Sequence, residues 1–197
     1  MQPLPPRGRG VTIHLRRLTP ADAGEYREFR LAALREAPTA FTSSYEEERG
    51  KPLSTTVDRL TREIVLGAYG EGALLGVAGL SLPSRGRERH KATLFGMAVA
   101  PRAAGRGIGK ALVSEILAVA EGVGGLTQVA LTVSEGNTRA ERLYRSCGFE
   151  TWGREPRAVL VDGRPIAKLH MLRLLRPAVL VDGRPIAKLH MLRLLRP

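Results

Sequence analysis

At 197 residues with 43% hydrophobic content, the chain is long enough for one domain with a substantial core, and its composition excludes a wholly disordered or fibrous protein. The formal net charge of +12 attracts polyanions without choosing among nucleic acid, an anionic cofactor and simple solubility. A lone cysteine, Cys147, excludes an internal disulfide, and the four scattered histidines give no metal-ligand spacing, so a reducing, cytoplasmic setting and no metal are expected.

Residues 1–10, MQPLPPRGRG, hold three prolines and two glycines without an apolar core, which predicts a flexible tail and neither a signal peptide nor an anchor. No run approaches the ~18 apolar residues of a spanning helix, so a soluble protein without membrane partners is expected. Val11 to Arg16 alternates as a first strand. Pro20 to Glu36 then carries Ala23, Tyr26, Phe29, Ala33 and Leu34 at helical spacing, behind a capping signal at Thr19 and Asp22. The helix ends near Pro38. The stretch from Thr39 to Pro52 shows no clear periodicity and reads as a loop whose aromatic residues (Phe41, Tyr45) and acids (Glu46, Glu47, Glu48) form either a rim for a cationic substrate or a solvated turn. A short helix after Leu53 would pack Val57 and Leu60.

Two strands, Glu63 to Tyr69 and Ala73 to Leu82, meet at a Gly-Glu-Gly hairpin. Beyond a charged loop, Thr93 to Val99 forms the next strand, and Gly96 within it predicts a bulge. The strand runs directly into VAPRAAGRGIGKAL, Val99 to Leu112. Gly105, Gly107 and Gly109 there let the backbone turn tightly, so that successive N–H groups converge on an anion where a helix starts. That helix, Lys110 to Glu121, has a broad apolar face suited to lie on a sheet. Gln128 to Val133 is a further strand. A capping box at Thr138 and Glu141 opens a helix that stops at Gly148, with Ala140, Leu143 and Cys147 on its inner face. Cys147 is therefore a small buried hydrophobe. Three strands follow: FETWGR, AVLVDG and PIAKLHMLRLL.

The glycine spacing is GxGxG and not the GxGxxG of a dinucleotide fold. A Walker loop fails too, because Ala104 and Ala111 stand where it needs a glycine and a hydroxyl. What remains is a strand, VxPxxxGxGIGxAL, an amphipathic helix, a strand, and then NTRAERLYRSCGF, Asn137 to Phe149. These two segments, at this separation, resemble the GCN5-related N-acetyltransferase (GNAT) family over roughly residues 11 to 176. The resemblance implies an α/β (α+β) fold: a mixed, mostly antiparallel central sheet with splayed fourth and fifth strands (Thr93 to Val99 and Gln128 to Val133) and helices on both faces. It implies acetyl-CoA as co-substrate. The main chain of Met97, Ala98 and Val99 would bond the acetyl and pantetheine groups. Gly105, Arg106, Gly107, Ile108, Gly109 and Lys110 would wrap the pyrophosphate, Asn137 would contact the pantetheine arm, and Tyr144 would face the thioester sulfur as the catalytic acid. The implied activity is direct transfer of acetyl to a primary amine of a small molecule or protein.

Two positions depart from the family pattern. Ala104 stands where an Arg or Gln is usual, which makes Arg102 and Arg106 the candidate phosphate contacts; Thr132 stands where relatives acting on protein N-termini carry a Glu base, which leaves Glu135 or one of Glu46 to Glu48 to accept the amine proton. The alternative from another class is a non-catalytic module that binds acetyl-CoA or nucleic acid. With 5% aromatics and no reading motif, nucleic acid is disfavoured.

Residues 158–177 recur unchanged as residues 178–197. Two copies are too few for a solenoid. The second carries four basic residues against Asp182, a net +3, so the remainder of the chain is still +9. Doubling a loop costs only about 0.6 kcal/mol, which slightly favours the nearer copy as the terminal strands. The second is then dispensable, either loose or paired with another molecule through an exposed edge to give a homodimer.

Overall fold

The computed structural model describes residues 12–175 and, beyond them, a short ladder of Leu180–Val181 with Arg184–Pro185. The 1–10 tail and most of the second copy lie outside the described residues. One sheet of seven strands runs in the order β1 (His14–Arg17), β2 (Ile64–Gly70), β3 (Ala73–Ser81), β4 (Lys91–Val99), β5 (Gln128–Ser134), β7 (Arg164–Leu174) and β6 (Glu150–Val161). Every neighbouring pair is antiparallel except β4 and β5.

Alternation along β2 shows how the two faces are covered. Ile64, Leu66 and Ala68 belong to the larger core with α4 (Ile108–Gly122) and α5 (Thr138–Ser146), while Val65 belongs to a second core with α1 (Ala23–Glu36) and α3 (Leu53–Arg62). The period of two along a strand puts these cores on opposite faces. Helix α4 alone buries Leu112, Val113, Ile116, Leu117, Val119 and Ala120 on the sheet, each large side chain contributing about 1.5–3 kcal/mol relative to exposure.

The expected first helix starts as a one-turn 3-10 segment, Pro20–Asp22, and continues as α1. Asp22 closes the Thr19 capping box and takes two bonds from Arg16, at 2.7 and 2.9 Å. Those bonds hold its carboxyl down at about 2. The stretch expected as loop contains a helix, α2 (Tyr45–Gly50). It is too short for hydrophobic periodicity to reveal, and Ser44 and Glu47 hold its start by reciprocal bonds of 3.1 and 2.9 Å. The FETWGR and AVLVDG runs form one long strand, β6, whose register slips between Glu155 and Val159 around Pro156. As the sheet edge, β6 tolerates a residue without an N–H. No helix among the described residues is long and apolar enough to cross a membrane.

Candidate active site

β4 and β5 pair only from Lys91 to Thr93 against Gln128 to Ala130. Beyond that, β4 stays with β3 and β5 with β7, so the two parallel strands part and open a V. The predicted bulge is present: Gly96 has φ +61°, and β3 slips register between Val77 and Gly79 opposite it. The edge of β4 from Met97 to Val99 that faces β5 therefore has no strand partner among the described residues.

The V continues into a cleft of about 490 Å³, and most of the expected site residues line it: Met97, Ala98, Val99, Arg102, Gly105, Gly107, Ile108, Gly109, Lys110, Asn137 and Tyr144. Arg106 is the exception, being exposed and absent from the lining, so of the two arginines only Arg102 reaches the cleft. The glycines divide their work. Gly105 and Gly107 both sit at φ +78°, where a side chain strains the backbone. Gly109 is helical, and its role is closeness to α5, since a Cβ there would meet Leu143 Cδ2 at 3.1 Å. The first helical bond of α4 runs from Ala111 N to Gly107 O. The N–H groups of Ile108, Gly109 and Lys110 are thus left facing outward at the positive end of the helix dipole.

Helix α5 is capped by Asn137, one residue before the expected Thr138: Asn137 Oδ1 accepts from Ala140 N at 3.1 Å. The cap commits the oxygen and leaves the Nδ2 donors for the cleft that Asn137 lines. Tyr144 is buried, packed edge-on against Phe149 with centroids 5.9 Å apart. Burial pushes its phenol above the ordinary value. Among the described residues no hydrogen bond engages its hydroxyl.

The opposite wall belongs to α1 and the turn after it. Phe29, Ala32, Ala33, Glu36, Ala37, Ala40 and Phe41 line it, with Thr132 from β5 below. The turn is pinned to the sheet by Ser134 Oγ donating to Thr39 O and by Lys168 Nζ donating to Thr42 Oγ1. Lys168 is 5% exposed, and burial pulls its pKa down.

None of the proposed bases, Glu135 and Glu46 to Glu48, is among the residues lining the cleft. Glu135 is clamped by Arg154 at 2.6 and 2.7 Å, which draws its carboxyl below the usual range, and it does not line the cleft. Glu48 is ringed by Lys51, Arg59 and Arg30 at 2.8, 3.6 and 3.9 Å, and Glu47 is spent on the α2 cap. Of the acidic stretch, Glu48 is thus an internal brace, while Glu46 and Glu47 are exposed. Glu36 and Arg139, by contrast, line the cleft and escaped sequence reasoning. Arg139 follows Asn137 by two residues in the α5 signature, the one clue available; Glu36 closes an ordinary surface helix and carries none.

The acetyltransferase (GNAT) family profile matches residues 30–149. In structure the chain is similar to a GNAT-family acetyltransferase from Streptococcus pneumoniae, with TM-score 0.74, 26% identity, and 84% of this chain and 100% of that chain covered. It is also similar to a phosphinothricin acetyltransferase from Sinorhizobium meliloti in complex with AcCoA, with TM-score 0.68, 26% identity, and 86% and 95% covered. A mycothiol acetyltransferase from Salinispora tropica is 37% identical over 81 residues, which is 41% of this chain and 26% of that protein. This chain thus matches about a quarter of that relative's length. With the profile spanning both the glycine loop and the α5 segment that build the cleft, the chain belongs to the acetyltransferase (GNAT) family.

Proposed function

We propose that this protein transfers acetyl from acetyl-CoA to a primary amine within a ternary complex. The observation that carries the reading is the splayed edge of β4, Met97 to Val99, lying in one cleft with the glycine loop, Asn137 and Tyr144. Main-chain groups of Met97, Ala98 and Val99, unpaired toward β5, are placed to bond the acyl-pantetheine part and to stabilise oxyanion charge. The N–H groups at the start of α4, with Arg102 and Lys110 beside them, suit the pyrophosphate. Asn137 donates its amide to the arm.

The chemistry needs a neutral amine, whose nitrogen bonds to the acetyl carbon as the carbon–sulfur bond breaks. The amine's proton passes to solvent. Tyr144, kept protonated by burial, gives its proton to the departing thiolate and regains one from water. No residue of the chain carries the acetyl group. Cys147 is 7% exposed, on the inner side of α5, and is not among the residues lining the cleft.

The acceptor is a primary amine of a small molecule or a protein. A reducing cytoplasmic setting accords with the single buried cysteine. We further infer that residues 178–197 are dispensable: β6 and β7, which include most of the first copy, stand in the sheet, and β6, its edge strand among the described residues, offers an edge for pairing with a second molecule. The test of the activity is a panel of primary amines, amino acids and peptides incubated with acetyl-CoA and assayed for free CoA thiol. Amine-dependent release supports the reading; an entire panel without release, from protein that still binds acetyl-CoA, turns it toward the non-catalytic module.

A further inference from the structure

The charged residues lining the cleft are sorted by wall. Arg102, Lys110 and Arg139 come from the segments that lead into or form α4 and α5, on the cofactor side. Glu36, from α1 on the opposite face of the sheet, is the one carboxylate among the described lining residues.

Glu36 is exposed and lines the cleft, and two observations bear on its charge. It is the last residue of α1, beside the helix's free carbonyls, where a negative charge is repelled by the dipole. It is also left unneutralised. Arg35, the basic residue of that last turn, is turned away, donating to Tyr45 Oη at 2.7 Å and stacking on that ring at 4.6 Å. Among the described residues no ion pair includes Glu36. The wall around it is apolar, built from Phe29, Ala33, Ala40 and Phe41.

Resting on the acetyltransferase reading above, we propose that Glu36 is the specificity residue of the acceptor side. It draws in a cationic primary amine on an alkyl stem, with no carboxylate next to the amino group. The ammonium pairs with the exposed Glu36 on entry and loses its proton to solvent before the nitrogen attacks, while the stem packs on the aromatic and alanine wall. A carboxylate beside the amine would be repelled by the same group.

The test uses acceptors that differ by one carboxylate on the carbon bearing the amine, such as pentylamine against norleucine and propylamine against 2-aminobutyrate, with rates expressed per neutral amine. For the wild-type protein, kcat/KM should favour the carboxylate-free member by about tenfold, the scale of one charge-assisted contact. Glu36→Gln should erase that preference through KM, Glu36→Asp should keep most of it, and Glu36→Lys should invert it. Acetyl-CoA affinity by calorimetry should stay within about twofold in all three variants, and thermal melting should show that they fold. A wild-type enzyme that turns over amines but prefers the carboxylate-bearing members, or a Glu36→Gln variant with the wild-type preference, overturns the assignment. Absence of any turnover by the wild-type protein overturns the acetyltransferase reading instead, and this inference with it.

Discussion

The two walls of the cleft are built by different means. The proposed cofactor wall is mostly backbone: a strand edge at Met97 to Val99 without a partner among the described residues, glycines at φ +78°, and the open N–H groups of α4. The acceptor wall is side chains on α1 and its following turn, held over the sheet by the hydroxyls of Ser134 and Thr42. Backbone groups are indifferent to most substitutions, so the first wall suits a ligand shared across a family. Side chains can be exchanged without disturbing the sheet, so the second suits whatever amine each protein uses.

The sharpest test of that division is Tyr144→Phe, which removes one hydroxyl from a residue lining the cleft. It should lower kcat by about 10²–10³ while leaving acetyl-CoA affinity within about twofold by calorimetry. Unchanged kcat would remove Tyr144 from the chemistry. Because burial raises the phenol's pKa, no loss of kcat traceable to Tyr144 is expected until pH passes above ordinary phenol values, about 10. On the cofactor wall, Gly107→Val forces a β-branched residue into the left-handed region. A strain of about 1–3 kcal/mol should weaken acetyl-CoA binding by roughly tenfold. Phe41→Ala on the other wall should instead raise the amine KM several-fold and spare acetyl-CoA. Equal effects of the two on both ligands would erase the distinction.

Asn137 allows its two roles to be separated. Asn137→Ala loses the α5 cap and should cost about 1 kcal/mol in urea denaturation, whereas Asn137→Asp keeps the cap oxygen and should lose only the amide donor toward acetyl-CoA. A smaller effect concerns how α1 is anchored. Asp22 has its folded-state pKa depressed by Arg16 to about 2 from an ordinary 3.8, so its contribution is present above about 4 and is lost as pH falls toward 2. Asp22→Asn should flatten that part of the stability profile. Smallest of all, ending the chain at Pro177 should leave both turnover and melting temperature unchanged, and loss of either would give residues 178–197 a role.

How much of this was legible in the sequence follows the same division. The glycine spacing, the Gly96 bulge and the Asn137–Tyr144 segment are local, because each states what one stretch of backbone must do. The acceptor wall is assembled across the chain. Glu135 is clamped by Arg154, nineteen positions on, a pairing that only the fold creates. Glu48 is bound by Arg30 and Arg59 from two other helices. Arg106 sits in the right motif, but its exposed side chain is not among those lining the cleft. α2 has a readable cap at Ser44 and Glu47 yet is too short for periodicity to show it.

In the proposed reaction both ligands occupy the cleft together and acetyl passes directly between them. The measurement that bears on it most directly is the initial rate of CoA release with acetyl-CoA and an accepted amine varied against each other. Lines that intersect in the double-reciprocal plot, with no acetylated protein detectable by mass spectrometry when the amine is left out, are the predicted result. Parallel lines with a trapped acetyl-enzyme would contradict it.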